Sequence, residues 1–250
     1  MTDISSKLVE NWTESSPRYS SLVREELAGW KREAWLGLIA ENAGGGPPLD
    51  VLDVGTGPGF FAIILAGAGH RVRAVDCTEA MVGEARRNIA EAGLEVEAAM
   101  ADSAELPFGD GTFDLIVSRN VAWTLVDAEK AYREWHRVLR PGGRAMIFDA
   151  NWNLDLFRDD YREAHERDLA EYRLRYPGKE VTVFTQQMID FRKGMPQCSR
   201  LRPQWDVGAL IGAGFATVYL DTDVGPRVYD ESELLLYRTF PMFMLAAGRR

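Results

Sequence analysis

The apolar positions along the chain change period in a way that divides it into helices and strands. Over 18–43, Tyr19, Leu22, Val23, Leu27, Trp30, Ala34 and Leu38 recur at helical spacing, which predicts one amphipathic helix. Gly44-Gly45-Gly46-Pro47-Pro48 stops it, because glycine ends a helix easily and proline cannot continue one. This closes an N-terminal helical segment, 1–48. From 49 onward, short apolar runs at 49–54, 72–75, 94–99, 113–118 and 144–149 predict buried strands. Helical patterns lie between them at 60–68, 79–92 and 127–139, the second with Thr78 as N-cap. Strand and helix in alternation predict an α/β, doubly wound, Rossmann-like sheet with parallel strands and helices on both faces. Residues 151–204 break the rhythm: 159–176 reads as a polar helix and the rest has no assignable period. That stretch is therefore an insertion before a helix at 205–211 and strands at 215–220 and 240–247. The main domain spans 49–250, and its insertion, 151–204, is expected to contribute to the substrate site.

A chain of 250 residues suits one such domain. The net charge of -9 lacks the basic excess of a nucleic-acid footprint, so no nucleic-acid partner is expected. Cys77 and Cys198 have neither metal-ligand spacing nor a disulfide framework, and no metal site is expected. The start of the chain has no basic stretch followed by an apolar run, and no segment reaches the roughly 18 apolar residues of a membrane span. A cytoplasmic location without membrane partners is expected, as a monomer or homodimer.

The most informative stretch is Asp53-Val54-Gly55-Thr56-Gly57-Pro58-Gly59-Phe60, placed where a strand gives way to a helix. Glycines there let the backbone turn tightly and approach a ligand, and a helix start offers free N–H groups. A dinucleotide fingerprint needs its third glycine where Phe60 stands. Asp76 ends the second strand, where a carboxylate accepts both hydroxyls of a ribose; the dinucleotide fold uses the same position, so Asp76 supports a nucleoside without choosing the cofactor. The plain alternatives are a glycine turn without a ligand and a solvated strand-end acid.

The D-x-G-x-G-x-G spacing from Asp53 to Gly59, Asp76, Asp102-Ser103, the run 108–117 and the run 137–143 resemble the motifs of class I S-adenosylmethionine (SAM)-dependent methyltransferases. The likeness is to the group that includes the ubiquinone and menaquinone methyltransferases. It covers about 48–150, with weaker support over 205–247. The resemblance implies a seven-stranded sheet whose last strand is antiparallel, with SAM as cofactor and S-adenosylhomocysteine as product. The glycine loop would wrap the methionine part and Asp102 would face the adenine amino group. The cofactor-binding residues it implies are Tyr19, Asp53, Gly55, Thr56, Gly57, Gly59, Asp76, Cys77, Met81, Asp102, Ser103, Arg119 and Asn120. In related small-molecule enzymes the N-terminal and inserted segments form a lid, which would bring Tyr19 and Arg24 to the SAM carboxylate.

Ligands of doubly wound sheets sit beyond the carboxyl ends of the strands. Trp123 after the fourth strand, Asn151 and Trp152 after the fifth, and Tyr161 on the inserted helix are therefore the expected substrate contacts. The run 118–123 lacks the Asn/Asp-Pro-Pro-Tyr/Phe pattern of nucleic-acid amino methylases. Methyl transfer from a sulfonium is an in-line displacement that needs mainly orientation. A base is required only when the acceptor loses a proton, and of the three histidines His165 is the candidate; His70 reads as a turn residue and His136 as structural. Arg158, Arg162 and Arg167 alternate with acids and read as a solvated face. The expected function is methyl transfer to an N, O, S or C atom of a metabolite. The competing readings are a SAM-binding regulator without turnover, a nicotinamide-dependent oxidoreductase and an RNA-modifying enzyme.

Overall fold

The computed structural model describes residues 3–46 and 48–250. Pro47, part of the predicted helix stop, lies outside the described residues, as do Met1 and Thr2 of the predicted N-terminal segment. The central sheet has seven strands in the order β3-β2-β1-β4-β5-β7-β6. β1 (Asp50–Val54), β2 (Arg71–Asp76), β3 (Glu97–Met100), β4 (Phe113–Arg119) and β5 (Leu139–Asp149) run parallel. β7 (Phe243–Gly248) is antiparallel both to β5 and to β6 (Thr217–Asp221). Chain order reverses between β1 and β4, which opens a crevice at their carboxyl ends.

Side-chain alternation splits the core between the two faces. Val51, Leu115, Val117, Met146 and Phe148 meet α2 (Lys31–Asn42), α3 (Phe60–Gly67) and α4 (Glu79–Glu91) on one face. Leu52, Ile116, Ala145 and Ile147 meet α5 (Ala128–Val138) and α8 (Gln204–Gly212) on the other. Trp35, Phe61 and Phe148 form an edge-on aromatic triangle with centroids 5.0–5.7 Å apart. The N-terminal segment thus shares the main core instead of forming its own.

Four features differ from the predicted pattern. The single helix at 18–43 is two helices, α1 (Asp3–Ala28) and α2, separated at Gly29-Trp30, and α1 carries Pro17 internally. Its early turns are mostly polar, and their few apolar residues, Ile4, Leu8 and Trp12, are held by the cluster of Trp123, Met195 and Cys198. The third strand starts at Glu97 because Leu94 N–H still closes the end of α4 on the Ile89 carbonyl. The insertion holds α6 (Asp159–Arg175) and α7 (Gln186–Gly194). Two short helices, α9 (Gly225–Val228) and α10 (Glu231–Leu236), follow β6, α10 being closed by a capping box between Asp230 and Glu233.

Candidate functional site

The crevice opens into a cavity of about 1970 Å³, larger than the roughly 300–1,000 Å³ of a single ligand site, with room for two ligands. Its floor is the carboxyl edge of β1, β2 and β4, and α1, α6, α7 and α10 close over it.

The glycine loop is held by two acids. Asp53 Oδ2 accepts from Thr56 Oγ1 at 2.7 Å and from the Ala62 N–H at 3.0 Å. It therefore caps the start of α3, whose own N-cap, Gly59, has no side chain to do so. Burial pushes the Asp53 carboxyl up to about 7, against the lowering effect of those hydrogen bonds. Asp76 Oδ2 accepts the Gly57 N–H at 3.0 Å, and Oδ1 accepts the Thr78 N–H at 3.0 Å. Burial raises its pKa although both bonds favour the charged form. Gly55 has φ +69°, and a Cβ there would stand 2.3 Å from Val121 Cγ2. Gly57 has φ +51°, and a Cβ there would meet nothing within 4 Å, because it borders the cavity. Gly59 packs against Ala85 and does not line the cavity.

Along the adjoining wall lie Cys77, Met81, Asp102 and Ser103. Burial pushes the Cys77 thiol up to about 12, so it is no nucleophile. Asp102 Oδ1 accepts the Ala104 N–H at 2.8 Å. At the end of β4, Arg119 forms a two-point ion pair with Glu26 of α1 (Nη2–Oε2 2.8 Å) and lies over the Phe60 ring at 4.5 Å. Burial would raise the Glu26 pKa, but Arg119 and Lys31 together hold it below its usual value. Asn120 adopts φ +59°, and its Oδ1 is buried without a partner.

Beyond the ends of β4 and β5, Trp123 and Trp152 line the cavity, and Trp152 Nε1 is buried without a partner. The Trp123 N–H donates to Asp149 Oδ2 at 2.8 Å. His165 lines the cavity from α6, 5.0 Å from the Phe240 ring, with its Nδ1 also buried and unpartnered. Tyr19 lines it from α1. Two predicted substrate contacts stand elsewhere. Asn151 is engaged with the Arg202 backbone, donating to its carbonyl at 2.6 Å and accepting its N–H at 2.9 Å. Tyr161 stacks on Phe240 outside the cavity wall. Arg24 donates to Asn88 Oδ1 at 3.2 Å and also lies off the cavity. Of the other histidines, His70 Nδ1 accepts the Leu49 N–H and His136 packs edge-on against Phe215.

Arg192, Phe184, Tyr229 and Tyr237 line the cavity although the sequence pattern did not single them out. They come from the insertion and from the stretch after β6, where no period marked them. Among the described residues no group of three or more His, Cys, Asp or Glu side chains is placed to hold a metal ion. No helix among them is long and apolar enough to cross a membrane.

Residues 52–147 match a family model described as a methyltransferase domain. A demethylmenaquinone methyltransferase of Thermus thermophilus is 37% identical over 144 residues, covering 55% of this chain and 63% of that protein. The chain thus spans less than two thirds of that relative's length. Among solved structures, a Haemonchus contortus phosphoethanolamine N-methyltransferase 2, in complex with phosphomonomethylethanolamine and S-adenosylhomocysteine, superimposes with a TM-score of 0.58 at 16% identity. The match covers 88% of this chain and 53% of that one. The 4+2 cyclase SpnF has a TM-score of 0.58 at 18% identity, over 88% of this chain and 80% of that one. Likeness at that level describes the fold and leaves the reaction to the site.

Proposed function

From the chain's place in the class I SAM-dependent methyltransferase superfamily, we propose that it moves the methyl group of SAM to a nucleophile on a small-molecule metabolite, leaving S-adenosylhomocysteine. The observation that carries this reading is the cradle at Gly57, where open space takes the place of a side chain beside the Asp76 carboxylate. The unpartnered Oδ1 of Asn120 opens on the same cavity. The residues fit the cofactor: Asp76 keeps lone pairs for ribose hydroxyls, Asp102 and Ser103 flank the adenine side, and the loop from Gly55 to Gly57 cradles the methionine part. When bound, the cofactor supplies a methyl carbon already activated by its sulfonium.

The protein contributes alignment and exclusion of water. In-line positioning of the reacting atoms is worth up to roughly 7–11 kcal/mol in the best intramolecular cases. α1, α6 and α7 act as the lid that admits the acceptor and keeps solvent out. His165 takes the proton of an acceptor that must lose one through its unpartnered Nδ1, and the charge of Asp155 on the same cavity wall favours the protonated imidazole that results. A nicotinamide enzyme is disfavoured because Phe60 occupies the third-glycine position and packs under Arg119.

Titration calorimetry tests the reading. S-adenosylhomocysteine is expected to bind while NADH gives no heat. Gly57→Val abolishes that binding, and Asp76→Ala weakens it about 10- to 100-fold, the range for a hydrogen bond to a charged group. Binding of NADH, or variants that hold S-adenosylhomocysteine as tightly as the parent, overturns it. Mass spectrometry of a metabolite extract incubated with SAM then separates methyl transfer, seen as a product heavier by CH2, from a binding protein without turnover.

A further inference from the structure

We propose that the acceptor is an aromatic carboxylate whose anionic group is held by Arg192, in a slot between the rings of Phe184 and Trp123; this rests on the methyltransferase reading of the same cavity. Arg192 projects from α7 and is half-buried in the cavity wall. Its guanidinium carbon lies 3.7 Å from the Phe184 centroid and 5.5 Å from the Trp123 centroid. Its polar anchor is a neutral one: Nη1 donates to Oδ1 of Asn153 at 2.5 Å. Asn153 is itself buried and donates in turn to Cys198 Sγ at 3.3 Å.

The other arginines packed beneath this end of the sheet are neutralised. Arg119 pairs with Glu26, and Arg202 pairs with both Asp149 and Asp206. Among the described residues no carboxylate lies within the 4.0 Å ion-pair distance of Arg192. Asp155 faces it from further away and lies closer in influence to His165. Tyr19 and Cys198 also face Arg192, but burial raises the pKa of both, so they stand neutral at physiological pH. Burial disfavours the charge on Arg192, yet a guanidinium does not deprotonate in a protein. The cavity therefore holds a positive charge whose direct contacts are an amide and two ring faces, with Asp155 acting on it only from beyond ion-pair distance. A partly desolvated cation in this state is best matched by a ligand anion.

Charge and shape narrow the ligand. A single fork-shaped cation matches a monoanionic carboxylate, which takes two parallel hydrogen bonds from it. A phosphate would bring a second charge, and the other cations lining the cavity do not supply its match beside Arg192: Lys31 and Arg119 are paired with Glu233 and Glu26, and Arg18, Lys130, Arg173 and Lys179 are exposed. The walls leading away from Arg192 are aromatic. Trp12 stands edge-on to Trp123 at 6.0 Å and to Tyr19 at 5.4 Å, a surface for a flat ring.

The test uses the full chain saturated with S-adenosylhomocysteine, with 2-naphthoate and its neutral isostere 2-naphthamide as probes, followed by tryptophan fluorescence and calorimetry. The acid is expected to bind about tenfold or more tightly than the amide, as for a hydrogen-bonded charge. Arg192→Met brings the two within about twofold while leaving the S-adenosylhomocysteine dissociation constant unchanged, and Arg192→Lys retains part of the preference. Equal or absent binding of the two probes to the parent overturns the proposal. So does an Arg192→Met variant that loses S-adenosylhomocysteine but keeps the preference for the acid, since the guanidinium would then serve the cofactor. A parent chain that binds no S-adenosylhomocysteine at all removes the cofactor reading itself.

Discussion

Asp53 is buried at the end of β1 and holds the glycine loop by its carboxylate, with its pKa raised to about 7 by burial. The unfolded chain ionises this group near pH 4, so between about pH 4 and 7 the unfolded state binds fewer protons and stability falls as pH rises. The loss levels off above pH 7 and amounts to about 4 kcal/mol, since each pH unit separating the folded and unfolded titrations is worth roughly 1.4 kcal/mol. Asp76 and Asp149, also raised by burial, tilt the profile the same way. Asp50 acts oppositely: bonding to Arg71 lowers it to about 2, so its contribution is lost only as pH falls below 4. Asp53→Asn, which removes the titrating proton, is expected to flatten the pH 4–7 slope of the unfolding free energy. Denaturant titrations at several pH values check this, and an unchanged slope would show that Asp53 titrates normally. The D-x-G-x-G-x-G spacing marked Asp53 in the sequence, but its partners, Thr56 and Ala62, were visible only once α3 was set against β1.

At the scale of elements, the seam between α1 and α4 decides how the cavity is roofed. Asn88 carries it, donating to the Pro58 carbonyl at 2.9 Å and to Ser20 Oγ at 3.2 Å while accepting from Arg24. One amide thereby joins the glycine loop, α1 and α4. Asn88→Ala leaves the buried Pro58 carbonyl without its partner, which costs about 1–3 kcal/mol. Hydrogen exchange of the α1 amides should accelerate in this variant more than that of the central strands; uniform protection across the chain would count against a local seam. The helix α1 itself was only half legible. The apolar spacing from Tyr19 onward announced it, but before Pro17 only Ile4, Leu8 and Trp12 carry the spacing among polar residues, and what holds them is the distant cluster of Trp123, Met195 and Cys198. The four-residue α9 and six-residue α10 left no signal, being too short for a period to register.

For the molecule as a whole, the deepest polar feature is the network that ties the insertion to the sheet. Arg202, 2% exposed, bonds Asp149 at the end of β5 (2.9 Å) and Asp206 of α8 (2.7 Å), and Asp206 also accepts from Tyr132 of α5 at 2.5 Å. Asp149 in turn fixes the Trp123 backbone, so this part of the cavity wall depends on the ion cluster. Arg202→Met strands two buried carboxylates without their cation and should cost about 3–5 kcal/mol by denaturant unfolding. A loss below about 1 kcal/mol would mean that the acids are satisfied without Arg202.

The sequence by itself determined the alternation of strands and helices, the glycine turn at the crevice and the acids at the strand ends. Each of these follows from local period or from backbone geometry, which neighbouring residues dictate. Only the tertiary structure decided which cations are neutralised and which face the cavity, that Asn151 and Tyr161 turn away from it, and that the chain after β6 helps to enclose it. The physical reason is that burial and ion pairing depend on contacts between residues far apart in the chain, and no short-range pattern encodes them.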